Sequence, residues 1–167
     1  MPFAIQWTEN CSGTEEAINI QTPAGLLVLY SRQGVITKTD WELNERPEQN
    51  QRYGHEIQQQ LSRYWLNTDQ PINIKLLKQG SVYRNRVWSE LCQIPLGETM
   101  TYSALARKIG SSARAVGNAC RDNPYALFIP CHRVVSVSGM GGYCGQTGGD
   151  LMAVKYKLLK FEAAHKQ

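Results

Sequence analysis

The sequence predicts an α/β protein of two parts, a small amino-terminal α/β domain over residues 1–80 and a mainly helical domain over residues 81–167. Alternating apolar residues separated by turn-forming residues dominate the first part, whereas apolar residues at helical spacing dominate the second. The charge changes at the same point, from 7 Lys/Arg and 9 Asp/Glu in residues 1–80 to 11 and 5 in residues 81–167. The second part is therefore the one suited to a polyanion such as nucleic acid.

The amino-terminal part is predicted to hold a small antiparallel sheet and one helix. The first ten residues show no strong pattern. Strands are predicted over residues 16–21, 26–30 and 35–41, with turns between them. Residues 44–53 are polar and predict a loop, whereas residues 55–66 carry apolar residues at helical spacing. Residues 67–79 are mixed and polar, which predicts the connection between the two parts.

The second part begins with a predicted helix after Ser81 that ends at Ile94-Pro95-Leu96-Gly97. Its apolar residues recur at helical intervals: Tyr83, Val87, Trp88, Leu91 and Cys92.

Two short helices joined by a glycine turn are predicted next. Thr101 caps the first, which ends at Gly110, and Ser111 or Ser112 caps the second, which ends at Asn123-Pro124. Their apolar faces are Tyr102, Leu105, Ala106 and Ile109 in the first, and Ala115, Val116, Ala119 and Cys120 in the second. In a basic region this pattern predicts a helix-turn-helix. Alanines and Gly117 give the second helix a face that permits close approach, and Arg114 and Arg121 can project outward.

A thiol and an imidazole are adjacent at Cys131-His132. The thiolate is the nucleophilic form of cysteine, and an imidazole can lower the pKa of the thiol or take its proton, directly or through a water. Apolar residues flank the pair at Phe128-Ile129 and Val134-Val135, which predicts that Cys131 lies at the floor of a pocket. The dipeptide alone is weak support for catalysis, because most buried cysteines are inert.

The last helix is predicted to be capped by Asp150, after a glycine-rich loop over residues 139–149. This loop does not match the phosphate-binding pattern G-x-x-x-x-G-K, so no nucleotide site is predicted. The inner stripe of the helix is predicted to be Leu151, Val154, Leu158 and Leu159. Glu162 falls on the same stripe, and a buried carboxylate is costly unless it is paired. His132 is the predicted partner, and the alternative is that Glu162 lies in solvent at a fraying helix end.

The five cysteines form no pair at metal-ligand spacing, and their odd number without a secretory leader predicts a reducing, cytoplasmic location. No apolar run approaches the ~20 residues that span a bilayer. We therefore expect no membrane, no metal and no cofactor. Cys11 and His55 are too few to form a zinc site in residues 1–80.

A series of short motifs, in order over residues 81–162, resembles the O6-alkylguanine-DNA alkyltransferases. The motifs are Tyr83-x-x-x-Val87-Trp88, Ile94-Pro95-x-Gly97-Glu98-Thr99-x-Thr101-Tyr102-x-x-Leu105-Ala106, Ala113-Arg114-Ala115-Val116-Gly117, Asn123-Pro124, Ile129-Pro130-Cys131-His132-Arg133-Val134 and Gly142-Tyr143. Residues 1–80 are more loosely similar, mainly through Thr22-Pro23-x-Gly25. The resemblance implies a ribonuclease H-like amino-terminal domain and a helix-turn-helix that binds DNA. It also implies single-turnover alkyl transfer from O6-alkylguanine in duplex DNA, with O4-alkylthymine as a further candidate, by a monomer.

The resemblance implies a role for each matching residue. Cys131 is similar to the alkyl acceptor, His132 to the base that acts through a water, and Glu162 to the carboxylate that orients the histidine. Asn123 matches the asparagine of this network, and Tyr102 the phenol that protonates the leaving guanine. The implied DNA-binding and base-flipping residues are Arg114, which enters the base stack, and Ala115, Gly117 and Arg121. The implied pocket residues are Val134, Tyr143, Cys144 and Lys155, whereas Arg133 is expected to brace the structure.

One departure and two alternatives accompany the resemblance. The run from Gly145 to Asp150 is longer than usual in the family, which predicts a wider or more mobile pocket rim. A cysteine hydrolase built on Cys131, His132 and Glu162 would lack an obvious oxyanion device. A non-catalytic lesion sensor would resemble the alkyltransferase-like proteins, but these carry tryptophan at the position of Cys131.

Overall fold

The computed structural model describes residues 3–44 and 54–166. The chain divides into two compact units, Met1–Gln79 and Gly80–Gln167. In the described ranges, no helix has the length and apolar character needed to cross a membrane.

The amino-terminal unit is a five-stranded mixed sheet with one helix. Its elements are β1 (Phe3–Thr8), β2 (Glu15–Thr22), β3 (Gly25–Arg32), β4 (Val35–Glu42), α1 (Gly54–Leu66) and β5 (Ile72–Leu77). The strand order is β1-β5-β4-β3-β2, where β2, β3 and β4 form an antiparallel meander and β5 runs parallel to both β4 and β1. Helix α1 packs on this sheet through Leu61 and Tyr64, which are buried. The Tyr64 ring lies 5.1 Å from that of Phe3.

The predicted antiparallel sheet is correct for β2 to β4 but incomplete. Residues 67–79 are not merely a connection, because β5 is a central strand in which Ile72, Ile74 and Leu76 are buried. Strand β1 was also missed, although it pairs with β5 in register from Phe3 opposite Ile72. Parallel pairing joins segments about 70 residues apart, which local patterns do not reveal. Apart from Asn44, the loop predicted over residues 44–53 lies outside the described residues.

The carboxy-terminal unit is mainly helical. Its elements are α2 (Val82–Leu91), β6 (Met100–Thr101), α3 (Tyr102–Ile109), α4 (Ala113–Arg121), a 3₁₀ turn (Cys131–Arg133), β7 (Val134–Val135) and α5 (Asp150–Ala164). Strands β6 and β7 pair in parallel, with Met100 opposite Val134. This pairing brings the start of α3 beside the segment that follows the 3₁₀ turn.

Side-chain caps begin the first three helices of this unit. Ser81, Thr101 and Ser112 each accept a hydrogen bond from the backbone N–H three residues later, at 3.1 to 3.2 Å. Gly110 ends α3 at φ 66°, a left-handed conformation that favours glycine. The cap of α4 is Ser112 and not Ser111, whose hydroxyl bonds the hydroxyl of Tyr83 at 2.7 Å.

Helices α2, α3 and α4 share a core, and Trp88 joins two of them by donating from Nε1 to the Ala119 carbonyl at 2.8 Å. The buried residues of this core include Val87, Leu91, Leu105, Ile109, Val116 and Ala119. Ala115, predicted on the apolar face of α4, is only partly buried, because that face centres on Val116, Ala119 and Cys120.

The last helix differs from its prediction in two details. Its N-cap is Gly149 and Asp150 is the first helical residue, with no side-chain cap. The buried positions are Val154, Lys155, Leu158 and Glu162, whereas Leu151 and Leu159 are only partly buried. The inner face therefore carries two charged side chains.

Candidate active site around Cys131

The Cys131–Arg133 turn is buried throughout. Cys131 is 4% exposed, His132 0% and Arg133 2%. The apolar flank before the turn is buried as predicted, since Phe128 and Ile129 are 1% and 0% exposed. Three side chains that can transfer protons or form ion pairs are therefore shielded from solvent, and each needs a polar partner inside the protein.

Glu162 supplies that partner from α5. Its Oε1 lies 2.7 Å from Nε2 of His132 and accepts from the NH2 group of Arg133 at 2.8 Å, and its Oε2 accepts from Arg133 Nε at 2.9 Å. Arg133 also donates to the Ile94 carbonyl at 2.7 Å. Burial would raise the pKa of Glu162, but His132 and Arg133 outweigh it and lower that pKa to about 2. The predicted inward position of Glu162 is correct, and Arg133 braces the carboxylate.

The carboxylate fixes the tautomer of His132. Because an ionised carboxylate only accepts hydrogen bonds, Nε2 carries the proton and donates it to Glu162. The other ring nitrogen, Nδ1, is buried and has no hydrogen-bond partner among the described residues. Burial lowers the pKa of His132, although Glu162 opposes that shift. His132 is therefore a neutral imidazole near pH 7 whose Nδ1 can accept a proton.

Cys131 is held as a thiol in the resting protein. Burial raises the pKa of Cys131, while a hydrogen bond from Asn123 and the charge of Lys155 act in the opposite direction. Asn123 also donates from Nδ2 to the Ile129 carbonyl at 2.9 Å and accepts from the Tyr125 N–H at 2.9 Å, which fixes the segment leading to the thiol. A buried thiol of this kind reacts only if a base takes its proton.

Lys155 links the backbone segments that form the pocket wall. It is fully buried, and its ammonium donates to the carbonyls of Val134 and Met140 at 2.6 Å and of Gly142 at 2.8 Å. Burial lowers the pKa of Lys155 to about 8. The strand after Cys131 and the glycine-rich segment are thereby joined by one side chain.

Cys131 opens onto a cavity of about 220 Å³. Residues from α3, α4, the 3₁₀ turn and the glycine-rich segment line it: Tyr102, Gly117, Asn118, Cys120, Arg121, Cys131, Gly142, Tyr143, Cys144, Gly145, Gln146 and Thr147. Of the predicted pocket residues, Tyr143 and Cys144 line the cavity. Val134 and Lys155 do not line it and lie behind its wall.

Tyr102 projects from the start of α3 into this cavity. Its hydroxyl donates to the Gly142 carbonyl at 3.4 Å. Burial is the main cause that raises the pKa of Tyr102 to about 12, and the nearby thiols Cys120 and Cys131 add to it. The phenol therefore keeps its proton at neutral pH and can donate it.

A second cavity, of about 360 Å³, adjoins the first, because Tyr102 and Gly117 line both. The exposed Arg114 lines it together with Val137, whose side chain is also exposed. A Cβ added at Gly117 would meet no described atom within 4 Å. The absence of a side chain there leaves room outside the helix and serves no packing contact within the described chain.

Six of the cavity residues were not among the predicted site residues: Asn118, Cys120, Gly142, Gly145, Gln146 and Thr147. Asn118 and Cys120 follow Gly117 on α4, so helical spacing from the predicted Gly117 and Arg121 was the available signal. Gly142 belongs to the Gly142-Tyr143 motif, and Gly145, Gln146 and Thr147 belong to the run that was predicted to shape the pocket rim, although none of them was assigned to the pocket. Across residues 3–44 and 54–166, no group of three or more His, Cys, Asp or Glu side chains could hold a metal ion.

The fold and the site define a mixed α/β protein with a buried cysteine thiol, a buried neutral histidine next to it in sequence, and a cavity beside a basic helical pair. The family model described as "6-O-methylguanine DNA methyltransferase, DNA binding domain" matches residues 82–164. A methylated-DNA–protein-cysteine methyltransferase from Methanosarcina mazei is 38% identical over 82% of this chain and 82% of the relative. The chain belongs to the methylated-DNA–protein-cysteine methyltransferase family, which confirms the resemblance found in the sequence.

Two solved structures are similar along almost the whole chain. The O6-methylguanine methyltransferase of Mycobacterium tuberculosis has a TM-score of 0.74 at 29% identity, covering 92% of this chain and 96% of that one. A structure of Mycobacterium tuberculosis OGT in complex with DNA has a TM-score of 0.69 at 30% identity, covering 89% and 93%. The mixed α/β architecture is thus shared with both.

Proposed function

We propose that this protein repairs duplex DNA by transferring the alkyl group of O6-alkylguanine to Sγ of Cys131, once per molecule. The observation that carries the proposal is the buried Cys131 thiol at a cavity, next in sequence to the neutral imidazole of His132. Glu162 binds Nε2 of that imidazole, which leaves Nδ1 as the proton acceptor. The names of the relatives support the reaction, and the DNA complex of a relative supports the partner.

The proposed step balances its protons within the site. Nδ1 of His132 takes the thiol proton through a water, and Sγ attacks the alkyl carbon in line with the bond to O6. That carbon–oxygen bond breaks as the sulfur–carbon bond forms. Tyr102 gives its proton to the departing purine, which leaves as a neutral base. The thioether is stable and no group of the site can cleave it, so the protein acts once.

Glu162 has the role of holding and stabilising the histidine. As His132 becomes an imidazolium, the adjacent carboxylate compensates its charge. Arg133 keeps Glu162 ionised and fixed, because its guanidinium binds both carboxylate oxygens. Asn123 supports Cys131 directly by hydrogen bonding to its sulfur.

Helices α3 and α4 are proposed to form the helix-turn-helix that binds DNA. The exposed Arg114 beside the second cavity is suited to enter the base stack when the lesion turns out of the duplex, which costs roughly a few kcal/mol. The open space at Gly117 lets the DNA approach α4 closely. Ala115 and Arg121, which is mostly exposed, extend this face.

The remaining expectations are proposals of the same kind. We propose that the amino-terminal unit is ribonuclease H-like, because its three-strand meander is extended by two parallel strands. Residues 81–167 would carry DNA binding and alkyl transfer, in keeping with the range of the family match. We propose a monomer that acts in the cytoplasm, and O4-alkylthymine as a second substrate.

The test is the intact mass of the protein after incubation with excess duplex containing O6-methylguanine. We expect one added methyl group, mapped to Cys131 by peptide mass spectrometry, and no further repair however long the incubation. Cys131→Ser should gain nothing, while Cys120→Ser serves as the matched control with an unaltered acceptor. Continued turnover, or a methyl group on another cysteine, would disprove the proposal, and binding without any mass change would favour a lesion sensor.

A further inference from the structure

The cavity rim opposite α4 is a closed turn. The Tyr143 N–H donates to the Gln146 carbonyl at 2.8 Å, and the Gln146 N–H donates back to the Tyr143 carbonyl at 2.9 Å. Cys144 and Gly145 between them have φ of 49° and 82°, as in the tight two-residue turns of β-hairpins. Residues 143–146 therefore form a defined wall of the cavity.

This turn lies against Arg121 of α4. A Cβ added at Gly145 would stand 3.3 Å from Cγ and 3.4 Å from Cδ of Arg121, so the aliphatic part of the arginine contacts the turn. Arg121 also lines the cavity, and its side chain is 56% exposed. Arg121 is thus held between helix and turn.

The charge of Arg121 is only partly compensated. Its Nε lies 3.6 Å from Oδ1 of Asp122, while the other oxygen of Asp122 accepts a hydrogen bond from Arg84. One carboxylate therefore serves two guanidinium groups, which leaves a positive excess beside the cavity.

The other charges around the cavity do not cancel this excess. None of the described residues that line it is acidic. The ammonium of Lys155 lies behind the wall, bound to the Gly142 carbonyl. The carboxylate of Glu162 is already paired with Arg133. A negatively charged substituent in the cavity would meet a positive field.

We propose that Arg121 is a specificity-determining residue that favours O6-alkylguanines whose alkyl group ends in a carboxylate. This inference rests on the proposed alkyl transfer to Cys131. In a carboxymethyl group the carboxylate is attached to the attacked carbon, so it repels the negatively charged Cys131 thiolate as the thiolate approaches. The positive charge of Arg121 offsets this repulsion, and Asn118, Gln146 and Thr147, which also line the cavity, carry hydrogen-bond donors.

The step is an ordinary displacement. Sγ of Cys131 bonds to the methylene carbon, the bond from that carbon to O6 breaks, and S-carboxymethylcysteine forms. His132 takes the thiol proton and the purine receives one from Tyr102, while the carboxylate keeps its charge. No further reactant is required.

The test compares two duplexes that differ only in the charge of one substituent. One contains O6-carboxymethylguanine and the other O6-carbamoylmethylguanine, whose amide has the same size and the same activating carbonyl but no charge. Single-turnover rates are measured with saturating protein, and the ratio of the two rates is taken for each variant. Effects on DNA binding act on both substrates and cancel in this ratio.

We expect Arg121→Gln to lower the ratio on the order of fivefold, the effect of removing one partly exposed charge near the cavity. Arg121→Lys should keep most of the parental ratio, because the charge remains. The matched control Arg114→Gln removes a charge from the same helix and should slow both substrates equally. Added salt should reduce the effect of Arg121.

An unchanged ratio in Arg121→Gln would overturn the specificity proposal, and so would an equal fall in Arg121→Lys. Transfer from O6-methylguanine is measured in parallel with the parent protein. If Cys131 takes up methyl but the ratio does not respond to Arg121, only the specificity proposal fails. If Cys131 takes up no methyl, the proposed function fails and this inference fails with it.

Discussion

Replacing Glu162 by glutamine tests the proposed network, because the change removes one charge and keeps the shape of the side chain. Glu162 is 2% exposed and binds both His132 and Arg133. The amide can still hold the imidazole by a hydrogen bond, but it cannot compensate an imidazolium. We therefore expect transfer to slow by about 10²- to 10⁴-fold, the range for a positioned base and for loss of its orienting carboxylate.

The same change should also destabilise the fold. The guanidinium of Arg133, 2% exposed, would be left without its carboxylate, which typically costs about 3 to 5 kcal/mol. The pKa of Glu162 is lowered from 4.5 to about 2, so its ionised form stabilises the protein above the unfolded pKa. That contribution, about 3 kcal/mol, is lost as the pH falls from about 4.5 towards 2. The stability difference between parent and Glu162→Gln should shrink over this range.

The assay must separate the two effects. Single-turnover transfer from labelled O6-methylguanine duplex is measured with saturating protein, well below the melting temperature of the variant, and duplex affinity is measured in parallel. Glu98→Gln is the matched control, since Glu98 is about half exposed and pairs loosely with Lys166 at 3.7 Å. A Glu162→Gln protein that melts earlier but transfers methyl within about threefold of the parental rate would refute the role of the carboxylate in supporting the base.

Two further predictions concern the edges of the site. Arg114→Ala should slow repair of duplex DNA but leave the reaction with free O6-benzylguanine nearly unchanged, because a free base never leaves a stack; equal losses in both single-turnover rates would show that Arg114 shapes the pocket instead. Mild peroxide should oxidise Cys131 to a sulfenic acid that condenses with Cys144 on the same cavity, releasing water at each step; peptide mapping that finds only unlinked oxidation products of Cys131 would contradict this.

The parts of the fold that local chemistry determines could be predicted from the sequence. Thr101 caps α3 and Gly110 ends it, because a hydroxyl and a left-handed residue satisfy the helix ends wherever the helix packs. The inward position of Glu162 followed from the helical repeat of α5 and the cost of an unpaired buried carboxylate. The histidine partner followed from the same cost.

The parts that depend on distant segments could not be predicted. Strand β5 owes its central place to partners on both sides, and its alternation of Ile72, Ile74 and Leu76 with polar residues is too short to reveal them. Lys155 is fully buried although lysine rarely is, and it is stabilised by three carbonyls that only the folded chain brings together. Cys120 was predicted only as an apolar residue of α4, yet it also lines the cavity.

The hydrogen bonds of Lys155 limit where the chain before α5 can change in length during evolution. The ammonium fixes the chain as far as Gly142, and the turn after it is closed by its own backbone hydrogen bonds as far as Gln146. The residues between this turn and the start of α5 are exposed. Thr147 still lines the cavity, so insertions and deletions should accumulate at Gly148 and Gly149, where they leave the cavity lining unchanged. The length of the chain can change there, whereas a substitution of Lys155 would remove the hydrogen bonds to all three carbonyls at once.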